Sequence, residues 1–240
     1  MRDYWVYDSD CDGMGNSQLS PDESHHLIRV LRFQTGDEIA GTNGRGLELK
    51  GRILAADPKR TIVEWIDVVE HDKKRAKITM AVAPTKQIDR FEWFLEKATE
   101  LGVDQIIPIW TKNSERKKLR MDRSQKVVTA AVKQSKQVFV PELADPMLFD
   151  ELISQKANAD LFIAHCAEGE KTFLFDAVKG NVDVVVAIGP EGDFDRDEIQ
   201  KALEMGWTAI SLGENRLRTE TAGIAACHMA VLKMNGNDSK

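Results

Sequence analysis

Three cysteines, Cys11, Cys166 and Cys227, are too few and too far apart for a disulfide framework, and none stands at metal-ligand spacing. They predict a reducing compartment and buried or inert thiols. No apolar run approaches the roughly 20 residues that span a bilayer. Met1-Arg2-Asp3-Tyr4 does not read as a secretory leader. A cytoplasmic, soluble protein with no membrane partner is expected. Also missing are a Gly-x-Gly-x-x-Gly fingerprint and a phosphate loop ending in Gly-Lys-Ser/Thr, which argues against NAD and ATP. There is no internal repeat. Two stretches imitate metal sites without completing them. Asp8-Ser9-Asp10-Cys11-Asp12-Gly13 matches the first half of a calcium loop, but its twelfth position is Leu19 where a bidentate Glu is required. His25 and His26 diverge by about 100° on a helix, and no third ligand is evident. No metal is expected.

The 240 residues suffice for two modest domains, and a hydrophobic fraction of 42% suits a soluble protein with a buried core. Net charge is −6, so the total announces no nucleic acid. The distribution is uneven. Residues 1–72 hold 8 Lys/Arg against 14 Asp/Glu, whereas residues 111–136 hold 9 basic residues against 2 acidic ones. Such a basic stretch either binds a polyanion locally or is a solvated helix face with a loop.

Tyr4–Tyr7 reads as a strand. Ser20-Pro21-Asp22-Glu23 opens a helix, with Ser20 as cap, Pro21 at the first position and Glu23 closing a capping box. Leu27, Val30 and Leu31 form its inner stripe, and Arg29 and Arg32 share a neighbouring face. An Asn43-Gly44 turn and the alternating runs 47–54 and 61–69 predict further strands. Residues 1–72 are therefore predicted to be a small β-rich domain, a barrel with one helix. A charged linker, His71 to Arg75, leads into a second domain over 73–240. There, apolar runs at 78–84, 105–110, 161–165, 184–188 and 209–212 read as buried strands of a parallel sheet. Helices are expected over Phe91–Leu101 (stopped by Gly102), from Asp122 or Ser124 to about Gln137, 195–205 (capped by Asp195 with Glu198) and 221–233, followed by a frayed tail from Asn235. The last helix should bury Ile224, Ala225, Cys227, His228, Val231 and Leu232. Two loops follow the last two strands: Gly189-Pro190-Glu191-Gly192-Asp193-Phe194, and Gly213-Glu214-Asn215-Arg216-Leu217-Arg218-Thr219-Glu220-Thr221-Ala222-Gly223. In open α/β sheets ligands bind beyond the carboxyl ends of strands, where both loops lie. Backbone groups and a single carboxylate suit an adenosine with an uncharged or cationic tail better than a triphosphate.

Ile-Gly-Pro-Glu-Gly-x-Phe followed by Leu-Gly-x-x-x-Leu-Arg-x-Glu-Thr-Ala closely resembles the knotted SPOUT methyltransferases, and more narrowly the RsmE family of 16S rRNA uridine-N3 methyltransferases. His25-His26-Leu27-x-x-Val30-Leu31-Arg32, Lys86-x-x-Asp89-Arg90, Glu96-Lys97-Ala98-Thr99-Glu100-Leu101-Gly102-Val103 and Gln134-Ser135 fit in order along nearly the whole chain. The resemblance implies an α/β fold: a SPOUT trefoil-knot methyltransferase domain behind a small PUA-like β-barrel that binds RNA. It implies S-adenosylmethionine as cofactor, held by Gly189, Pro190, Glu191, Gly192, Leu212, Gly213, Leu217, Arg218, Thr219, Thr221 and Ala222. It also implies a homodimer acting on 16S rRNA in the small ribosomal subunit.

For the chemistry, Arg218 and Arg90 are candidates to stabilise a uridine anion. Glu220 is a candidate proton acceptor or arginine holder, or else a carboxylate favoured by a helix N-terminus. Glu191 would orient the cofactor or cap the next helix. Lys86, Arg116, Lys117, Lys118 and Lys136 are expected on phosphate, with Arg29 and Arg32 either extending that surface or merely solvating their helix. The family usually has a second glycine where Asp193 stands. If that position takes a positive φ, aspartate tolerates it better than most residues at some conformational cost, and the departure bears on cofactor affinity rather than on reaction type. The family's Arg-rich run after Ser135 is here Lys136-Gln137-Val138-Phe139-Val140, so fewer phosphate contacts are expected. The competing readings are a non-catalytic RNA-binding or ribosome-assembly protein of the same fold, and a SPOUT enzyme acting on tRNA or on a ribose 2′-oxygen.

Overall fold

Turn chemistry and hydrophobic periodicity set most of the elements where the sequence reading places them. The computed structural model describes residues 4–73 and 75–236. Met1–Asp3, Lys74 and the tail beyond Gly236 lie outside the described residues. The chain forms two compact units, Met1–Lys74 with Thr129–Val140, and Arg75–Val128 with Pro141–Lys240.

The first unit holds β1 (Trp5–Tyr7), β2 (Gly15–Gln18), α1 (Pro21–His25), a π-helical turn His26–Val30, β3 (Glu38–Thr42), β4 (Leu47–Ala55) and β5 (Ile62–Glu70). Its five strands lie in the order β1-β3-β4-β5-β2, with β1 parallel to β3 and the other pairs antiparallel. Strand β2 falls in a stretch the sequence reading leaves as loop. Its polar residues carry no alternation, and it forms only by pairing with β5. The acidic stretch before it is used locally. Asp8 is buried and accepts the Trp65 indole N–H at 2.8 Å, while Asp12 pairs with Arg45 at 2.7 Å.

Ser20 caps α1 by accepting the Glu23 N–H, but the Glu23 carboxylate does not close the box. It turns to the Lys133 ammonium instead. The π-helical turn then widens the helix, so Val30 rotates out to 57% exposure while Leu27 stays fully buried. Arg32 lies past the helix at φ 57°, so it does not share a helical face with Arg29.

The sequence reading gives residues 129–140 to the second domain. In the structure they pack within the first unit. Val138 accepts the Gly46 N–H and the Thr42 hydroxyl, and the Val140 N–H donates to Gly44. The apolar Val138-Phe139-Val140 that stands in place of an Arg-rich run therefore has a structural use.

The second unit runs β6 (Ile78–Val82), α2 (Ile88–Leu101), β7 (Gln105–Trp110), the start of α3 (Met121–Ser135), β8 (Glu142–Leu143), β9 (Met147–Leu148), α4 (Phe149–Ser154), β10 (Ala159–Ala164), β11 (Thr172–Phe173), α5 (Leu174–Ala177), β12 (Asp183–Ile188), α6 (Arg196–Glu204), β13 (Thr208–Ser211) and α7 (Thr219–Asn235). Its strands form one sheet in the order β11-β13-β10-β12-β6-β7-β8, with β9 also on β7, and every pairing is parallel. One core cluster joins Ala81, Ile107, Ile163 and Ala187 of the sheet to Phe149 and Ile153 of α4 and Ile199 and Ala202 of α6. Helices α2 and α7 pack on each other, and α7 on β6 and β12.

Gly102 ends α2 in the left-handed region at φ 91°, and Asp195 with Glu198 forms the expected capping box on α6. Helix α7 is rotated from expectation. Gly223, Ala226, Cys227, Ala230, Val231 and Met234 face inward, while His228 is exposed and Leu232 is 51% exposed. Gly223 sets this seam, since a Cβ there would lie 2.8 Å from the Phe94 ring. Cys227 is fully buried, and burial pushes its thiol up to about 12. Cys166, expected to be buried or inert, is exposed.

Candidate active site

Parallel pairing brings the carboxyl ends of three neighbouring strands level. Ala164 ending β10 is in register with Ile188 of β12 and with Ile210 of β13. The loops that leave them emerge side by side and enclose a cavity of about 680 Å³. Gly189, Pro190, Glu191 and Asp193 line it from the loop after β12. Leu212, Gly213, Leu217, Arg218, Thr219 and Ala222 line it from the β13 side. Of the residues expected to hold a cofactor, Gly192 and Thr221 stand apart. Gly192 faces Asn113, whose amide donates to its carbonyl at 3.3 Å. Thr221 lines a second cavity instead.

The third wall is one that sequence reasoning missed. His165, Cys166 and Lys171 reach the cavity from the loop after β10. The strand was recognisable, and the rule that ligands sit beyond carboxyl ends applied to it equally. Only the lack of a glycine-rich signal hid it. Both His165 ring nitrogens are buried. Burial, aided by the Lys171 charge, lowers the His165 pKa, so its ring is neutral at pH 7.

Asp193 takes a positive φ, 64°, which meets the condition stated for its replacement of a glycine. Its carboxylate returns something a glycine cannot. One oxygen accepts the Cys166 N–H at 2.7 Å and the other accepts the Phe194 N–H at 2.8 Å, which ties the β10 loop to the β12 loop. Gly189 allows Phe194 to pack beneath that loop, because a Cβ would lie 3.0 Å from the ring. Glu191 lines the cavity but does not cap the next helix. It is exposed and accepts the Lys86 N–H at 3.0 Å.

The second cavity, about 700 Å³, shares Arg216, Leu217 and Arg218 with the first and adds Asp89, Arg90, Trp93, Glu220 and Thr221. The three candidate catalytic residues meet here. Glu220, the second residue of α7, is 7% exposed. One of its oxygens lies 3.9 Å from Arg90 Nε, and the other is buried with no partner.

A model of the RNA methyltransferase domain matches residues 72–231, and a model of the RNA methyltransferase PUA domain matches residues 19–64. The chain belongs to the RNA methyltransferase family. A probable rRNA-methyltransferase from Porphyromonas gingivalis is 36% identical with a TM-score of 0.88, over 98% of this chain and 99% of that one. The ribosomal RNA small subunit methyltransferase E of Neisseria gonorrhoeae, solved bound to S-adenosyl methionine, is 27% identical with a TM-score of 0.82 over 97% of each chain. The Bacillus subtilis protein of that name is 26% identical over 224 residues, 87% of this chain and 86% of its own.

In this methyltransferase much of the basic stretch is already engaged. Lys112 bridges Asp195 and Asp197 at 2.8 and 2.9 Å, and hydrogen bonds to these two carboxylates hold its pKa far above the ordinary lysine value. Arg116 donates to the carbonyls of Thr85 and Lys86 at 2.9 and 2.7 Å, so it clamps the loop after β6 rather than presenting a free fork. Lys86 pairs with Glu115 at 2.7 Å, and Arg123 with Glu92. Lys117, Lys118, Lys136, Arg29 and Arg32 are exposed.

Proposed function

We propose that this protein transfers the methyl group of S-adenosylmethionine to N3 of a uridine in 16S rRNA of the small ribosomal subunit, working in the cytoplasm as a homodimer with a knotted catalytic domain. The observation that carries the reading is the pair of adjoining cavities: one built for a nucleoside-like cofactor, the other lined by a desolvated carboxylate and arginines. The first fits the cofactor chemically. Its volume lies in the usual range for a small-molecule site. It offers apolar walls at Ile188, Ile210, Leu217 and Ala222, and backbone groups at Gly189 and Gly213. It has no lysine-bearing phosphate loop. The relatives named ribosomal RNA small subunit methyltransferase E, one of them bound to S-adenosyl methionine, support both substrate and cofactor.

When bound, the cofactor supplies a methyl group already activated by its sulfonium. The chain's own residues position and deprotonate the acceptor. Uridine N3 carries a proton flanked by two carbonyl oxygens. The Glu220 carboxylate is the acceptor for that proton, and Arg90 and Arg218 are donors for charge developing on O2 and O4. The target base must leave its stack to reach this position. Exposed Lys117 and Lys118 would contact phosphate, with Lys136, Arg29 and Arg32 serving the same purpose on the PUA unit. Half-exposed Leu232 on α7 gives a second copy an apolar contact.

The deciding experiment supplies labelled S-adenosylmethionine and small subunits from a strain lacking the protein, then identifies the methylated nucleoside. Label in 3-methyluridine supports the reading. Label in another nucleoside would move the activity to another acceptor atom, and cofactor binding without transfer to any RNA would favour the non-catalytic alternative.

Asp193 affords a separate check on the cofactor site. Asp193→Gly relieves about 1–2 kcal/mol of left-handed backbone cost but loses two hydrogen bonds to a charged acceptor, each worth roughly 1.5–3 kcal/mol before discounting for partial exposure. The β10 loop loosens, and affinity for S-adenosylmethionine measured by calorimetry should fall by about tenfold. Equal or tighter binding by the glycine variant would show that the clamp contributes nothing.

A further inference from the structure

We propose that Trp93 is the platform on which the target base stacks once it has left the RNA, an inference that deepens the uridine-methylating reading and rests on it. Helix α2 meets its packing needs elsewhere. Phe91, Phe94, Leu95 and Ala98 are all buried, whereas Trp93 keeps 46% of its surface exposed. It lies three residues after Arg90, one turn along the same helical face, and both open into the second cavity.

What surrounds the indole matches a pyrimidine's two kinds of surface. A uracil ring presents apolar π faces and one polar edge with a donor between two acceptors. The cavity presents one exposed aromatic wall, Trp93. It is lined by Glu220, a side chain more than nine-tenths buried that holds one unpartnered, fully buried oxygen. It presents donors at Arg90, Arg216 and Arg218. The last two also line the cofactor cavity, so a base lying on Trp93 would have its edge between the carboxylate and the place where the methyl group is delivered. Every base has a π face, so the indole would supply affinity and orientation, while Glu220 and the arginines read the edge.

The test compares wild type, Trp93→Ala and Trp93→Phe as full-length protein, with small ribosomal subunits as acceptor. It measures kcat and KM for RNA, affinity for S-adenosylmethionine, and sedimentation. Trp93→Ala should lower kcat/KM for RNA by about 5- to 150-fold, the range carried by aromatic–base stacking. Cofactor affinity should stay within about twofold and sedimentation should not change. Trp93→Phe, which keeps a stacking face, should recover most of the loss. An alanine variant with unchanged kcat/KM overturns the proposal. So does one that loses cofactor binding or shifts in sedimentation, because Trp93 would then be supporting the fold or an interface between copies. A phenylalanine variant as poor as alanine overturns stacking as the cause. A wild-type protein that methylates no RNA would instead bring down the underlying functional reading, and that arm is separate from the other three.

Discussion

Glu220→Gln is expected to lower single-turnover methyl transfer by about 10²- to 10⁴-fold, the contribution of a positioned general base, while S-adenosylmethionine affinity stays within about twofold. The side chain is 7% exposed and its nearest charge, Arg90 Nε, is 3.9 Å away. Its second oxygen is buried without a partner. A carboxylate so poorly compensated is costly to bury, so the glutamine variant should melt at the same temperature or higher. That combination separates the two roles open to Glu220. A carboxylate kept only for the α7 N-terminus would contribute roughly 0.3–1 kcal/mol, and its loss would lower the melting temperature by about 1–4 °C. In that case turnover would survive. Full activity with reduced stability in the glutamine variant would remove Glu220 from the chemistry.

The largest stability effect is expected at Lys133, far along the sequence from its partner. Its ammonium meets the buried Glu23 carboxylate and lies 3.4 Å from the Tyr4 hydroxyl. Lys133→Met leaves the Glu23 charge buried and uncompensated. Removal of one partner of a buried pair costs about 3–5 kcal/mol. The 20% exposure of the Lys133 side chain places the expected loss nearer 2–4 kcal/mol. Adding Glu23→Gln should restore a large part of it, and denaturant unfolding of the single and double variants reads both numbers.

The pH dependence has a definite sign. Burial pulls the Lys133 pKa down, but the Glu23 carboxylate more than offsets this and leaves it above the ordinary lysine value. The pair's contribution is therefore fully present below the unfolded lysine value of 10.5. It is lost as pH rises through the higher folded value. Wild type should lose stability in that alkaline window relative to Lys133→Met. Parallel curves for the two proteins would show that Lys133 is not coupled to Glu23.

Much of the architecture was legible in the sequence because the interactions that set it are local. β-Branched runs between turns became β6, β7, β10, β12 and β13. Gly102 and Asp195 stop and start their helices where backbone conformation and capping require. The two glycine-bearing loops fell beyond strand ends because a parallel sheet leaves its βα loops there. The positive φ of Asp193 was legible only as a condition, that the glycine it replaces takes a left-handed backbone.

What the tertiary structure alone decided concerns partners distant in sequence. Glu23 had the spacing of a capping box and took Lys133, 110 residues away, because a buried ammonium is a stronger partner than a helix N–H. Glu191 and Arg116 had the character of ligand-binding groups, yet both fasten the loop after β6. The third wall at His165, Cys166 and Lys171 exists only because β10 lies between β12 and β13 in the sheet, an order no periodicity encodes. The sequence by itself determined the longer helices and the buried strands, through propensity, capping and the two hydrophobic periods, but not β2 or the short elements β8, β9, α4, β11 and α5. The tertiary structure decided which loops share a cavity and which charges are already engaged, because both depend on strand order and on burial, and these arise only when the whole sheet is assembled.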